Sequence, residues 1–256
     1  MASSLPCLGC LVSIALLLIG KPAWADPNRG ETRLRPSVEA NPFRTSTATS
    51  ELAARMVPVD ALPSAIREKV RRTLTQPTLV TRASAEQFQA SPEVYRWLLE
   101  HPDRAALAWR RLGIACSPIQ DRGQGRFGWR DDIGSDVQWW VIARSDKVTI
   151  WYAEGSVKAG PLLPAVPVRA VAVLRHDFRD EAGQAIRHEI DIFCYADSRA
   201  AHLAYRLFGS SADRLAEQAA EQMLTFFSAL ARYCTDHPSD ASRLLAPATS
   251  VRGTSR

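Results

Sequence analysis

With 256 residues, 46% of them hydrophobic, the chain can bury a core, and its length fits one domain with extensions. The formal net charge is +5, with 28 arginines and 4 lysines scattered along the sequence against 27 acids. That balance argues against nucleic acid as a partner, since phosphate binding needs cations gathered on one segment or face.

The first 25 residues differ from the rest. Residues 8–20, LGCLVSIALLLIG, form an uncharged apolar run, and KPAWA follows with small residues at Ala23 and Ala25. This is the pattern of a secretory signal peptide cut after Ala25, with the amino terminus as the only positive charge before Lys21. Cys7 and Cys10 stand at the start of the run instead of its end, unlike a lipoprotein signal. Thirteen apolar residues are short for a membrane span of about 20, so a retained anchor is the weaker alternative. The expectation is export to the periplasm or beyond, with membrane contact through this segment alone. Cleavage leaves a charge of +4 and three cysteines, Cys116, Cys194 and Cys234, without C-x-x-C spacing. One disulfide or three reduced thiols are both compatible with that; a zinc knuckle is not, and neither metal nor cofactor is expected.

Residues 26–57 are polar with scattered Pro, Ser and Thr and read as a flexible linker, residues 58–236 as a single globular domain, and 237–256 as a disordered tail. Within the domain, Ile66, Val70 and Leu74 at four-residue steps predict a helix over 64–74, stopped before Pro77. TLVTRAS (78–84) suits a strand. Ser91 and Pro92 form an N-cap and N1 pair for a helix carrying Val94, Tyr95, Leu98 and Leu99. Pro102 then restarts a second helix that Gly113 stops.

From Ile114 to Ala196 the pattern has period two, rich in β-branched and aromatic residues. Three prolines in GPLLPAVP (160–167) require a loop or an edge, either packed on the sheet or forming a lid. SRAAHLAYRLFG (198–209) reads as a helix. A last helix, 212–235, lines up Leu215, Ala219, Met223, Phe226, Phe227, Leu230 and Cys234 and spans about 35 Å, enough to cover a sheet from end to end.

Two hairpins can be registered. In the second, pairing Arg175 with Glu189 and Asp177 with Arg187 also aligns Ala170 with Cys194, Ala172 with Ile192 and Leu174 with Ile190. A slip by one would mix the ionic and apolar sets, and the same register sets His176 opposite His188 on the inward face. Two imidazoles there could satisfy each other, fix a polar group in a ligand cavity, hold a metal ion if a third ligand joined them, or act as acid and base. In the first hairpin, DVQWWVIARSDKVTIWY (136–152), a four-residue loop at 144–147 puts Trp139 and Tyr152 inward and sets Trp140 directly across from Trp151 on the outer face. Cover by the helices at 92–112, which carry Trp97 and Trp109, or docking of a partner would each account for those outer indoles.

Helices, then strands, then one long helix after IDIFCYADS (190–198) make the chain resemble, over roughly residues 60–236, the helix-grip arrangement of START-like proteins, the superfamily that includes polyketide cyclases. The resemblance rests on element order. It implies an α+β fold, a curved antiparallel sheet packed by a long C-terminal helix, here with extra N-terminal helices. It also implies a cavity between sheet and helix of the kind that holds lipids, sterols or aromatic metabolites, and it transfers no functional residue.

No G-x-S-x-G, H-E-x-x-H or P-loop occurs. GQGRFG (123–128) reads as a turn between strands, and DDIGSD (131–136) lacks EF-hand spacing. Three functions stay open. The first is an exported binding protein for a lipid or other apolar small molecule, with His176, His188, Trp139, Tyr152, Met223 and Phe227 as cavity candidates. The second is an envelope interaction module docking a protein through Trp140 and Trp151. The third is an enzyme using His176 and His188, although no residue is assigned a catalytic role.

Overall fold

The computed structural model describes residues 50–158, 164–178, 185–196 and 211–247. The expected signal peptide, the helix at 198–209 and most of the GPLLPA loop lie outside these residues. A helical stretch at 50–55 and a 3-10 turn, Val59–Ala61, precede α1 (Ser64–Thr75), β1 (Leu79–Gln89), α2 (Pro92–Glu100) and α3 (Pro102–Arg111). Six strands follow: β2 (Gln120–Gly123), β3 (Arg126–Arg130), β4 (Asp136–Arg144), β5 (Val148–Val157), β6 (Val166–Phe178) and β7 (Ala185–Ala196). The long helix α4 (Ser211–Asp236) and the short α5 (Pro238–Leu245) complete the order.

Local chemistry sets these boundaries. Ser91 Oγ accepts the Val94 N–H at 3.4 Å, and Pro92 needs no intrahelical donor at that position. Gly113, at φ +78°, turns the chain out of α3 while its own N–H and that of Ile114 bond back to Arg110 and Trp109, satisfying carbonyls the helix end would orphan. Gly123 and Gly125 supply left-handed backbone for the β2–β3 turn.

The seven strands form one curved antiparallel sheet in the order β1-β7-β6-β5-β4-β3-β2, and α4 packs across one face. This is the helix-grip arrangement, an α+β fold with additional N-terminal helices. Pro167 sits where β6 pairs with β5 alone, since β7 ends opposite Val168, so no ladder bond is lost to it.

The second hairpin has the expected register: His176 opposes His188, Arg175 opposes Glu189 and Asp177 opposes Arg187. The first hairpin differs. Trp140 opposes Tyr152 and Val141 opposes Trp151, and a bulge at Ile142 then shifts the ladder by one more residue. Because side chains alternate, this one-residue change turns all of β5 over: Trp151 faces α4, and Tyr152 faces the other way.

Both faces of the sheet are covered. On one, Trp139, Trp151, Ala172, Leu174, Ile190 and Ile192 pack with α2, α3 and α4. On the other, Ile150, Tyr152, Val171, Val173 and Phe193 pack beneath α1 and the segment leading to it, with Ala53, Val57 and Leu62 buried. The folded unit therefore starts before residue 58: residues 50–57 are not spacer, because an Ala53 and Val57 pair at helical spacing was too short a signal to stand out from a polar stretch. At the other end α5 replaces part of the expected tail. Its Leu244 is buried, and the Arg111 guanidinium donates to the carbonyls of Arg243, Leu244 and Ala246 at 2.7 to 2.9 Å, capping a helix too short to be read from periodicity. No helix of the described residues is long and apolar enough to cross a membrane.

Candidate functional site

Polar groups enter the α4-side layer at one end of the sheet. His188, on β7, is 1% exposed, and Tyr95, on α2, is fully buried; the Tyr95 hydroxyl lies 2.8 Å from His188 Nδ1. On its other side His188 Nε2 is 3.3 Å from Glu86 Oε2. Glu86 also accepts from Ser228 Oγ at 3.0 Å and from the Arg232 guanidinium, both on α4. A carboxylate can only accept, so the His188 proton belongs on Nε2, and Nδ1 accepts from the Tyr95 hydroxyl. Every member of the row Arg232, Ser228, Glu86, His188, Tyr95 is thereby partnered.

A bulge makes the row possible. Along β1, Ala83 pairs with Ile190, but Glu86 rather than Ala85 pairs with His188. The extra residue brings Glu86 to the inward face, where unbroken alternation would have placed it outward. The hydrogen bond from His188 holds the Glu86 carboxyl below its ordinary range, helped by Ser228 and Arg232 against the cost of burial. Burial lowers His188 despite Glu86, and it raises Tyr95 well above a free phenol. At neutral pH the row is a carboxylate, a neutral imidazole and a phenol.

His176 sits beside this row and is not part of it. It is 5% exposed, with its ring 5.9 Å from Tyr95 and 5.6 Å from Phe178. Its Nδ1 is buried with no hydrogen-bond partner among the described residues. Burial, with Arg96, His188 and Arg144 acting in the same sense, pushes its pKa down to about 4, so the ring is neutral. His176 lines a cavity of about 400 Å³ bounded by Arg96, Leu99 and Glu100 of α2 and by the β4–β5 turn with Thr149. A second hollow of about 310 Å³ borders both histidines, with a charged rim that includes Lys147, Arg175, Arg187 and Glu189.

The other sequence-predicted residues fall into three places. Trp139, Met223 and Phe227 lie in the α4-side layer, 1%, 1% and 3% exposed, and make up its packed interior. Trp151 joins them, parallel to the Phe227 ring at 6.5 Å, so it is core and not a docking residue. Tyr152 belongs to the opposite layer, its hydroxyl donating to Glu154 at 3.0 Å. Trp140 shares that face, half-buried, edge-on to Tyr152 at 5.2 Å with the Arg126 guanidinium 4.3 Å above its ring. Trp140 and Trp151 thus lie on opposite faces and share no surface, which corrects the stacked pair the sequence register implied.

Glu86, Tyr95, Ser228 and Arg232 were not anticipated as site residues. Tyr95 reads as part of an apolar helix face, and Glu86 depends on the bulge. Only Ser228 and Arg232, four apart beside the α4 stripe, left a visible sign. Among the described residues no group of three His, Cys, Asp or Glu side chains could hold a metal ion. Cys194 and Cys234 are buried thiols, pushed up to about 12 and about 11 by burial.

No protein-family model and no curated protein matches the chain. Solved structures of similar shape include a conserved protein from Geobacillus kaustophilus, at 9% identity and TM-score 0.41 over 61% of this chain and 97% of that one. A hypothetical protein from Helicobacter pylori matches at 11% identity and TM-score 0.41 over 63% and 94%. Norcoclaurine synthase from Thalictrum flavum matches at 11% identity and TM-score 0.34 over 57% and 86%. Likenesses at this level describe a shape and bring no chemistry to this chain.

Proposed function

We propose that the chain is an exported binding protein for a small, largely apolar molecule, held at the His176 end of the layer between the sheet and its helices. One observation carries this: a buried, neutral imidazole with an unpartnered nitrogen forms part of the wall of a cavity of about 400 Å³, a volume in the range of small-molecule sites. The neighbouring row from Arg232 to Tyr95 supports a binding role because it uses its hydrogen-bonding groups internally, fixing the wall without presenting an open acid or base. Export is supported by the apolar run at 8–20 and the small residues at Ala23 and Ala25.

Native mass spectrometry of the full chain expressed in its own host tests both parts. The mature mass should begin at Asp26, and a small-molecule adduct should accompany the native protein. Ser145→Trp, which places bulk at the exposed cavity rim, should abolish the adduct while circular dichroism and melting temperature stay unchanged. An adduct that persists in the folded variant contradicts the site, and a mature chain that retains residues 1–25 contradicts cleavage.

A further inference from the structure

The sheet face turned away from α4 carries a row of guanidiniums at its β2–β4 end, beyond α1, which packs against β6 and β7. Arg126 is exposed and lies 4.3 Å above the ring of Trp140, its cross-strand partner, with no ion pair among the described residues. Arg122 reaches over from β2 and lays its guanidinium on Gly128, in the space that a Cβ there would need, and ends on the Asp136 carboxylate. Arg130 donates to the other Asp136 oxygen at 2.5 Å. Positions 126, 128 and 130 share one face of β3, so the three guanidiniums stand over strand positions about 7 Å apart. Against the cost of burial, Arg122 and Arg130 hold the Asp136 carboxyl below its ordinary range. Neighbouring acids are engaged elsewhere or lie off the row. Asp121 points with Phe127 to the other face, Glu154 on β5 is taken by Lys69 and the Tyr152 hydroxyl, and Asp131 accepts the N–H groups of Ile133 and Ser135 in the β3–β4 turn. Asp132 stands in that turn with Lys158 beside Gly134, and pairs with no arginine of the row. Three guanidiniums thus share one carboxylate, on an exposed strand and at places fixed by Trp140, Gly128 and Asp136.

We infer that this row is a docking surface for an extended acidic peptide of a partner protein, with carboxylates on alternate residues. Alternate side chains of an extended chain recur at the same interval of about 7 Å, and a guanidinium presents a fork matched to two carboxylate oxygens. One acid meets Arg126 and a second meets the Arg122 and Arg130 pair, which balances the charge. The row is three positions long, and the rest of this face is buried beneath α1 and the segment leading to it. A short peptide fits that footprint, whereas an anionic membrane would call for cations spread over a whole face.

Fluorescence anisotropy with labelled peptides and the full chain, at pH 7 and about 20 mM salt where surface charges are little screened, tests this. Thr-Glu-Val-Glu-Val-Glu-Thr should bind at least tenfold more tightly than its counterpart with Gln for every Glu. It should also bind at least threefold more tightly than Thr-Val-Glu-Glu-Glu-Val-Thr, which has the same charge out of register. Arg126→Gln should weaken the alternating peptide about fivefold. Gly128→Ala should weaken it comparably with net charge unchanged, because a Cβ at 128 displaces only the end of the Arg122 side chain. Circular dichroism and melting temperature should match the wild type in both variants, and Arg122→Gln replaces Gly128→Ala if that variant fails to fold. Equal binding of the Glu and Gln peptides, or an affinity unchanged in either variant, would overturn the row as a docking surface. A short oligothymidylate or the out-of-register peptide binding as tightly as the alternating one would overturn the extended-peptide assignment and leave unselective attraction of polyanions.

Discussion

The middle of the layer beneath α4 and its hairpin end are built from the same strands and do opposite things. In the middle, Trp139, Trp151, Met223 and Phe227 fill the space with large, mainly apolar side chains. At the end, the layer admits a carboxylate, two imidazoles and a phenol, and leaves one nitrogen of His176 unpartnered. The contrast sets a packed core over most of the layer against a polar end where the proposed site lies.

Substitutions should separate the two regions. The largest effect belongs to the packed middle: Trp151→Ala removes the face against Phe227 and should cost about 3–5 kcal/mol in urea unfolding, with the α4-side layer loosened. Glu86→Leu should cost about 2–3 kcal/mol, because Arg232, Ser228 and His188 each lose an acceptor, and His188 should then protonate at still lower pH. An unchanged His188 titration after Glu86→Leu would erase the distinction.

The third effect is a pH dependence. His176 is held at about 4 against an ordinary 6.5, so between these values the unfolded chain takes up a proton that the folded chain does not. The contribution is fully present above pH 6.5 and is lost as the pH falls toward 4, amounting to about 2 kcal/mol by pH 5. His176→Leu should flatten this part of the stability profile, and the carboxylate contributions common to both proteins cancel in the difference. The smallest effect is at Trp140: half-buried and held by Arg126 and Tyr152, it should cost about 1 kcal/mol on replacement by Ala and leave ligand binding unchanged.

The legibility of the two regions in the sequence was uneven for a physical reason. The β6–β7 register was readable because charge pairs and apolar pairs give independent constraints, and they agreed on His176 opposite His188. The β4–β5 register was not, because both faces of those strands are buried and aromatic, so a shift by one leaves an equally apolar pattern. The same holds for Glu86, whose place beside His188 depends on an extra residue in β1 that alternation cannot register. Tyr95 lay in the predicted α2 helix, but nothing in a helical stripe distinguishes a packed tyrosine from one whose hydroxyl meets a histidine across the layer. The helix-grip outline, in contrast, came from element order and needed no register at all.

The central claim is that a ligand occupies the hairpin end and not the packed middle. Nitrogen-15 NMR of the imidazole and indole groups, recorded during addition of decanoate, addresses it in one titration. The account predicts that the His176 ring nitrogens shift with saturation while the Trp151 indole N–H stays in place. A moving Trp151 signal with an unchanged His176 would put the ligand in the middle of the layer and contradict it.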